Sequence, residues 1–286
     1  MLIEYGSFMY FAYILLAVGA CVGLFFLLRG RSEAIRHRAV LIISFINLAQ
    51  HLLKGVIYPH YWGDFSPHLS SAYNVCAFLI ISSPFIWLFG GELLKNFIVY
   101  LGTIAGMIAM LVPYWFIGQS AFQSEAYRFY LCHSLLFISS ILPPLLGLVK
   151  LRWRHFWKIG LLFLAMLGII IVNDIIFLAL GLYPTTNPSD IYASLCEINP
   201  CWSIVPPQGF EWLIKIIGIF SPSFLMGGNS SGFYVPILWY AIPMYIGITL
   251  ASFIVCISVD FKAFTGFCSD VREKFKKKSK NNNQNH

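Results

Sequence analysis

Charged residues are scarce in this chain. Only 11% of its 286 residues are Asp, Glu, Lys or Arg, whereas 58% are hydrophobic. A soluble domain carries about 25% charged residues, so this composition excludes a water-soluble fold. The strict alternation of apolar and polar residues that marks membrane-spanning β-strands is also missing. The composition therefore predicts an α-helical membrane protein.

Motifs for metal or haem binding are missing as well. None of the seven cysteines shows the Cys-x-x-Cys spacing of a metal site or a haem attachment site, so neither a metal nor another cofactor is expected. The net charge of +7 lies in short patches between apolar runs and in the tail. That distribution follows the positive-inside rule, and it indicates membrane lipids rather than nucleic acid as partners.

Apolar runs of about 20 residues, the length that crosses a ~30 Å hydrocarbon core as helix, recur along the chain. The predicted spans are 8–28, 39–58, 72–91, 97–117, 129–149, 159–183 and 235–258. Basic residues follow the first and fifth spans and fill the tail, which places the N-terminus outside and the C-terminus inside. We therefore predict an all-α polytopic bundle of about seven transmembrane helices over 1–259, with a disordered basic cytoplasmic tail at 260–286. A bacterial source would place it in the plasma (inner) membrane.

The long segment between the last two spans, 184–234, is predicted to lie outside. Cys196 and Cys201 are five residues apart in it, on the oxidising side, so a disulfide between them is expected. The apolar stretch 211–220 is too short to span, and its sequence fits an interfacial or a re-entrant helix equally well.

The second span carries a stripe of polar residues. Its members recur at i, i+3, i+6, i+7, i+10 and i+14, which puts them on one helix face: Ser44, Asn47, Gln50, His51, Lys54 and Tyr58. Polar groups are costly against lipid, so the stripe should face the bundle interior. Ser44 and Asn47 fit interhelical hydrogen bonding, whereas His51 and Lys54 are candidates for binding a substrate.

Reactive side chains from other spans fall at matching depths. Cys76 and His133 each lie four residues below the outer end of their span, or about 6 Å deep. Lys54 lies at a similar depth, and Asp174 lies about 13 Å deep in the sixth span. The ionisable groups therefore gather in the outer half of the bundle.

This gathering supports more than one function. In the first, Cys76 is a nucleophile with His133 as its base, a lipid or fatty-acyl substrate forms a thioester, and Lys54 with His51 holds a phosphate or carboxylate. In the second, Lys54 and Asp174 form an ion pair in the cavity of a transporter or channel. A non-catalytic scaffold is the third. A cysteine in an apolar helix is most often a packing residue, and spacing alone does not separate Cys76 from Cys132.

Two short motifs carry a family resemblance. YNVC at 73–76 is followed by AFLIISSP, which ends at Pro84, and FYLCHSLLF surrounds His133. Over residues 8–258 the chain resembles the YwaF-like family of integral membrane proteins, whose animal relative is an acyltransferase that makes ether phospholipids. The resemblance implies a catalytic Cys76–His133 pair, acyl transfer to a lysophospholipid, and a matched asparagine at Asn173.

One position departs from that pattern. Asn74 stands two residues before the cysteine, where the family has histidine. Asparagine can hydrogen-bond but cannot act as a general base near neutral pH. Asn74 and Asn173 therefore join His51, Lys54 and Asp174 as substrate-binding candidates, and whether the chain is an enzyme stays open from the sequence.

Overall fold

A computed structural model describes most of the chain. It covers residues 1–57, 67–152, 155–183, 185–186, 190–205, 211–226 and 234–259, with a few more between 261 and 273. Most of the predicted tail, and Tyr58 of the polar stripe, lie outside the described residues.

The described residues form an all-helical fold, as predicted, and contain no strand beyond two isolated bridges. The α-helices, in chain order, are α1 Phe8–Leu28, α2 Glu33–Ile57, α3 Val75–Phe89, α4 Glu92–Leu111, α5 Ser124–Leu145, α6 Phe156–Ala179, α7 Ile191–Ile198, α8 Glu211–Phe220 and α9 Ala241–Val259.

Four described stretches are long and apolar enough to cross a membrane: α1, α4, α6 and Leu238–Ser258. Helix α3 is equally apolar but has 15 residues. Helices α2 and α5 carry polar residues and pack against each other. The chain is therefore an α-helical membrane bundle, while the count of seven crossings stays a prediction.

The fourth and fifth helices both start earlier in the chain than predicted, and the fourth also ends earlier. The fourth span starts at Glu92 and ends at Leu111, five to six residues earlier than expected, because the chain leaves the helix at Val112, just before Pro113. The fifth starts at Ser124, so that Glu125 and Arg128, expected in a loop, lie on its first turns.

Helix α5 is central, because it packs against α1, α2 and α4. Two glycines of α4 allow a close approach to it. A Cβ at Gly102 would clash with Ser140 Oγ, and one at Gly106 would meet the His133 carbonyl oxygen at 2.9 Å. Glycines four residues apart allow helix backbones to approach closely in membranes, so α4 supports α5 directly behind His133.

Contacts at the two ends of the bundle fit helices that alternate in direction. At one end the Ile3 amide donates to the Gln119 carbonyl at 2.9 Å, which joins the N-terminus to the α4–α5 connection. At the other end Arg152 pairs with Glu92, which joins the α5–α6 connection to the start of α4. If successive helices cross the membrane in opposite directions, as predicted, both pairs of segments must lie at the same end of the bundle.

Candidate functional site

The polar stripe of α2 faces the protein interior, as predicted. Four of its five described members, Ser44, Asn47, His51 and Lys54, are each at most 5% exposed, and the fifth, Gln50, is partly exposed. Asn47 Nδ2 donates to the Cys132 carbonyl of α5 at 3.1 Å, and Ser83 Oγ of α3 lies 3.5 Å from Ser44 Oγ. Ser44 and Asn47 therefore link α2 to α3 and α5 by hydrogen bonds.

His133 lies beside the Cys132 thiol. Its Nδ1 is 3.4 Å from the sulfur of Cys132, the preceding residue on α5, and 2.7 Å from the Phe129 carbonyl oxygen. Cys76 lies on the first turn of α3, a helix that contacts α5, and it packs against the hydrophobic cluster that contains Cys132. Cys132 is therefore the thiol within hydrogen-bonding distance of His133 among the described residues, and the Cys76–His133 pair stays a prediction.

The Phe129 contact determines which imidazole nitrogen is basic. A carbonyl oxygen can only accept, so Nδ1 of His133 carries the proton in this hydrogen bond. The lone pair then belongs to Nε2, which is the nitrogen left for a partner from another helix. A backbone carbonyl that fixes the tautomer in this way is a common means of orienting a functional histidine. Cys132 also donates to the Phe129 carbonyl, at 3.3 Å.

Asn74 is the N-cap of α3. Its side-chain oxygen accepts from the Ala77 amide at 2.8 Å, and its backbone is extended. This contact satisfies one of the free N–H groups at the start of a helix. The side chain therefore fixes the first turn of α3, on which Cys76 lies partly exposed.

Lys54 is buried without a carboxylate beside it. It is 1% exposed, and its Nζ lies 4.4 Å from the centroid of the Tyr73 ring. An ammonium over an aromatic face is held by a cation–π interaction. Lys54 takes part in neither ion pair of the described residues.

Glu125 and Arg128 complete the charged part of the site, and they were missed in the sequence. Their side chains form an ion pair of 2.9 Å, in which Glu125 is 1% exposed and Arg128 12%. The second oxygen of Glu125 has no hydrogen-bond partner among the described residues. The signal was the spacing of Glu125, Arg128 and Cys132 by three and four residues, which places them on one face of a helix.

His51 and Asn173 both hold the segment before α3. His51 Nε2 donates to the Ser71 carbonyl at 3.1 Å, and Asn173 Nδ2 donates to Ser71 Oγ at 3.0 Å. In the same segment His68 stacks on Tyr183 with ring centroids 3.8 Å apart. Burial and the nearby Lys54 lower the pKa of His68 to about 4.

Asp174 lies apart from the cationic cluster. It is fully buried, with one oxygen 3.2 Å from Asn173 Nδ2 and the other without a partner among the described residues. The described ion pairs are Arg128–Glu125 and Arg152–Glu92. The ion pair of Lys54 with Asp174, considered from the sequence, is therefore wrong, because the desolvated carboxyl sits beside an amide rather than an ammonium.

The model of the TMEM164 family matches residues 5–192, about two thirds of the chain. The chain belongs to the TMEM164 family. No curated protein and no solved structure matches it significantly. The match confirms a membrane-protein family, under a name other than the expected YwaF-like one, and it assigns no acyltransferase activity.

The TMEM164 match covers the site from Lys54 to Asp174 but stops before the two outer cysteines. Cys196 and Cys201 are both free thiols in the structure, and the disulfide between them stays a prediction. Cys196 packs beside Ile171 and Leu195, whereas Cys201 packs against the main core. No group of three or more His, Cys, Asp or Glu side chains suited to a metal occurs in the described part of the chain.

Proposed function

We propose that the chain is a membrane-embedded acyltransferase that moves a fatty-acyl group onto a lysophospholipid, with Cys76 as nucleophile and His133 as general base. The observation that supports this proposal is an imidazole whose tautomer is fixed by the Phe129 carbonyl, on a helix that contacts α3, where Cys76 packs against the hydrophobic cluster that contains Cys132. A thiol needs such a neighbour to form thiolate near neutral pH.

The chemistry proceeds in two transfers. Nε2 of His133 takes the Cys76 proton, and the thiolate attacks the acyl carbonyl of a donor lipid. A thioester forms, and the donor's alcohol leaves with the proton from His133. The hydroxyl of the lysophospholipid then attacks the thioester while His133 accepts its proton, and Cys76 leaves as the thiol.

The charged residues fit the headgroup of such a substrate. Arg128 forms an ion pair with Glu125, and Lys54 is a second basic side chain buried in the site. Basic side chains attract an anionic phosphate, and guanidinium matches phosphate geometry well. His51 and Asn173 then act on the substrate indirectly, through the Ser71 segment.

The test is acyl transfer to a labelled lysophospholipid by purified protein in phospholipid nanodiscs. We expect Cys76→Ser to lower the rate by about a hundredfold or more, the scale of losing one such group. Cys21→Ser is the matched control, because Cys21 is a buried thiol on α1 that packs against the far part of α5. Equal rates for wild type and Cys76→Ser would refute the proposal, and a loss seen only in Cys132→Ser would move the nucleophile to Cys132.

The isolated carboxyl of Asp174 favours a second candidate, proton-linked transport. A buried ionisable group inside a membrane bundle is often part of a proton or ion pathway. Here flux into proteoliposomes should be lost in Asp174→Asn and Lys54→Ala and kept in Cys76→Ala. Flux that is insensitive to both substitutions would leave transport without support.

A further inference from the structure

Helix α2 carries a groove on the face opposite its polar stripe. The groove has a volume of about 520 Å³, and the residues that line it recur at i, i+3, i+4, i+7, i+8 and i+11: Arg38, Leu41, Ile42, Phe45, Ile46 and Ala49. With 3.6 residues per turn, these positions fall on the other side of the helix from Asn47 and His51. This α2 groove is therefore separate from the candidate site.

The α2 groove faces outward from the bundle. Ile42 is 58% exposed, Ile46 53% and Phe45 41%. Leu41 is partly buried and packs against the main hydrophobic cluster, so the helix is anchored behind the groove. A continuous apolar surface of this kind marks a site of contact with a membrane or another protein.

The length of the α2 groove matches one leaflet of a bilayer. Ala49 follows Arg38 by eleven residues, which is about 16 Å along a helix at 1.5 Å per residue. The hydrocarbon core is ~30 Å thick, so each leaflet contributes about 15 Å. One acyl chain of a phospholipid can therefore lie along the whole groove.

Arg38 places a cation at one end of the α2 groove. Its side chain is exposed, and it takes part in neither ion pair that the described residues form. The guanidinium of Arg36, by contrast, donates to the Leu146 carbonyl. A free guanidinium binds phosphate through two parallel hydrogen bonds. The groove thus combines apolar walls with one terminal contact for an anionic headgroup.

The predicted topology places the Arg38 end of the groove at the cytoplasmic surface. Arg29, Arg31 and Arg36 precede Arg38 in the same stretch, and basic connections of this kind stay in the cytoplasm. The cytoplasmic leaflet is the one that carries anionic phospholipids. The charge and the depth of the groove therefore fit the same class of lipid.

We propose that the α2 groove binds one anionic phospholipid of the cytoplasmic leaflet, with its phosphate on Arg38 and one acyl chain along residues 41–49. The bound lipid would pair the Arg38 guanidinium and cover the exposed side chains of Ile42, Phe45 and Ile46. The inference does not use acyl transfer, because the groove and the polar stripe lie on opposite faces of α2.

The test is photocrosslinking of the full chain in nanodiscs that contain a trace of phospholipid with a diazirine in the middle of one acyl chain. One probe is phosphatidylglycerol, and the other is phosphatidylcholine with the same chains. We expect the anionic probe to label the peptide with Phe45 and Ile46 about fivefold more than the zwitterionic probe does, the factor that one basic residue provides near an anionic surface. Labelling of the exposed Leu15 and Leu16 on α1 measures ordinary lipid contact and should not differ between the probes.

Arg38→Gln should abolish the preference for the anionic probe at α2 and leave the labelling of α1 unchanged. Arg31→Gln is the matched control, because Arg31 is an exposed arginine just before α2 that does not line the groove. It should keep the full preference. Arg38→Lys retains the charge without the planar fork, so it should show an intermediate preference.

Equal labelling of α2 by the two probes in wild type would overturn the inference, and this result does not depend on a variant folding. An equal loss in Arg38→Gln and Arg31→Gln would also overturn it, because the effect would then belong to the basic stretch as a whole. Competition by excess glycerol 3-phosphate would mean that free phosphate is bound without the chains. Protection of α2 from both probes, with a dimer in native mass spectrometry, would assign the groove to a second copy of the chain.

Discussion

At the scale of single residues, Asn74 has a role that its position in the motif did not reveal. As the N-cap of α3 it accepts from the Ala77 amide. Asn74→Ala should lower the free energy of unfolding by about 1 kcal/mol, the usual value of a cap. Thermal unfolding in detergent measures this loss.

Asn74→Asp is the control, because aspartate caps as well as asparagine does. It should unfold like wild type and keep its acyl transfer. A large loss of activity in a stable Asn74→Asp protein would mean that the amide contacts substrate.

His68 should make stability depend on pH. Its pKa is lowered to about 4 in the folded chain, against about 6.5 when unfolded. The folded state therefore disfavours the proton, so the contribution of His68 is complete above pH 6.5 and is lost as the pH falls toward 4. Unfolding midpoints between pH 7 and 4 measure it.

His68→Phe keeps a ring to stack on Tyr183 but cannot titrate. Its midpoint should fall less than that of wild type over the same interval. Parallel pH profiles for the two proteins would show that protonation of His68 is not linked to folding.

At the scale of elements, the contact of α4 with α5 sets the position of His133. Gly106→Ala would place a Cβ 2.9 Å from both the His133 carbonyl oxygen and the Phe137 amide. These backbone atoms cannot move without shifting the helix. We therefore expect the free energy of unfolding to fall by about 1–3 kcal/mol, as at other overpacked sites, and the acyl-transfer rate to fall as well.

Gly168→Ala on α6 is the matched control, since nothing lies within 4 Å of the added Cβ. It should be neutral or gain about 0.5–1 kcal/mol from helix propensity. If both variants behaved alike, the close approach of α4 to α5 would not be the cause.

The helices show how far the sequence alone leads. Span α1 is predicted to the residue, and the α2 stripe is predicted to face inward, because hydropathy and helical period are local properties. The role of Arg128 was missed, because its place on α5 depends on where that helix starts. The turn between Cys196 and Cys201 was not predicted, because the Asn199 side chain folds it, a tertiary effect that spacing does not encode.

Cys76 and Cys132 likewise cannot be distinguished as candidate nucleophiles from the sequence alone. Cys132 is the neighbour of His133 on the same helix, its sulfur lies 3.4 Å from Nδ1, and it is 6% exposed. Cys76 comes from another helix and is partly exposed. Only the packing of α3 against its neighbours separates the two thiols.

At the scale of the whole molecule, the outer and inner faces can be told apart by labelling. The predicted topology puts Ser120, beside the N-terminus, outside and Cys268 inside. An impermeant maleimide applied to sealed cells should label Ser120→Cys at once and Cys268 only after permeabilisation. Peptide mapping identifies the labelled cysteine, and the opposite order would invert the topology.

The central claim is that Cys76 carries an acyl group. Intact-mass and peptide mass spectrometry of protein rapidly quenched with acid in the presence of a donor phospholipid tests it most directly. The account predicts a hydroxylamine-sensitive acyl adduct on the Cys76 peptide that disappears in Cys76→Ser and falls strongly in His133→Gln. Turnover of labelled lipid by wild type with no adduct at Cys76, under conditions that trap other thioesters, would contradict it.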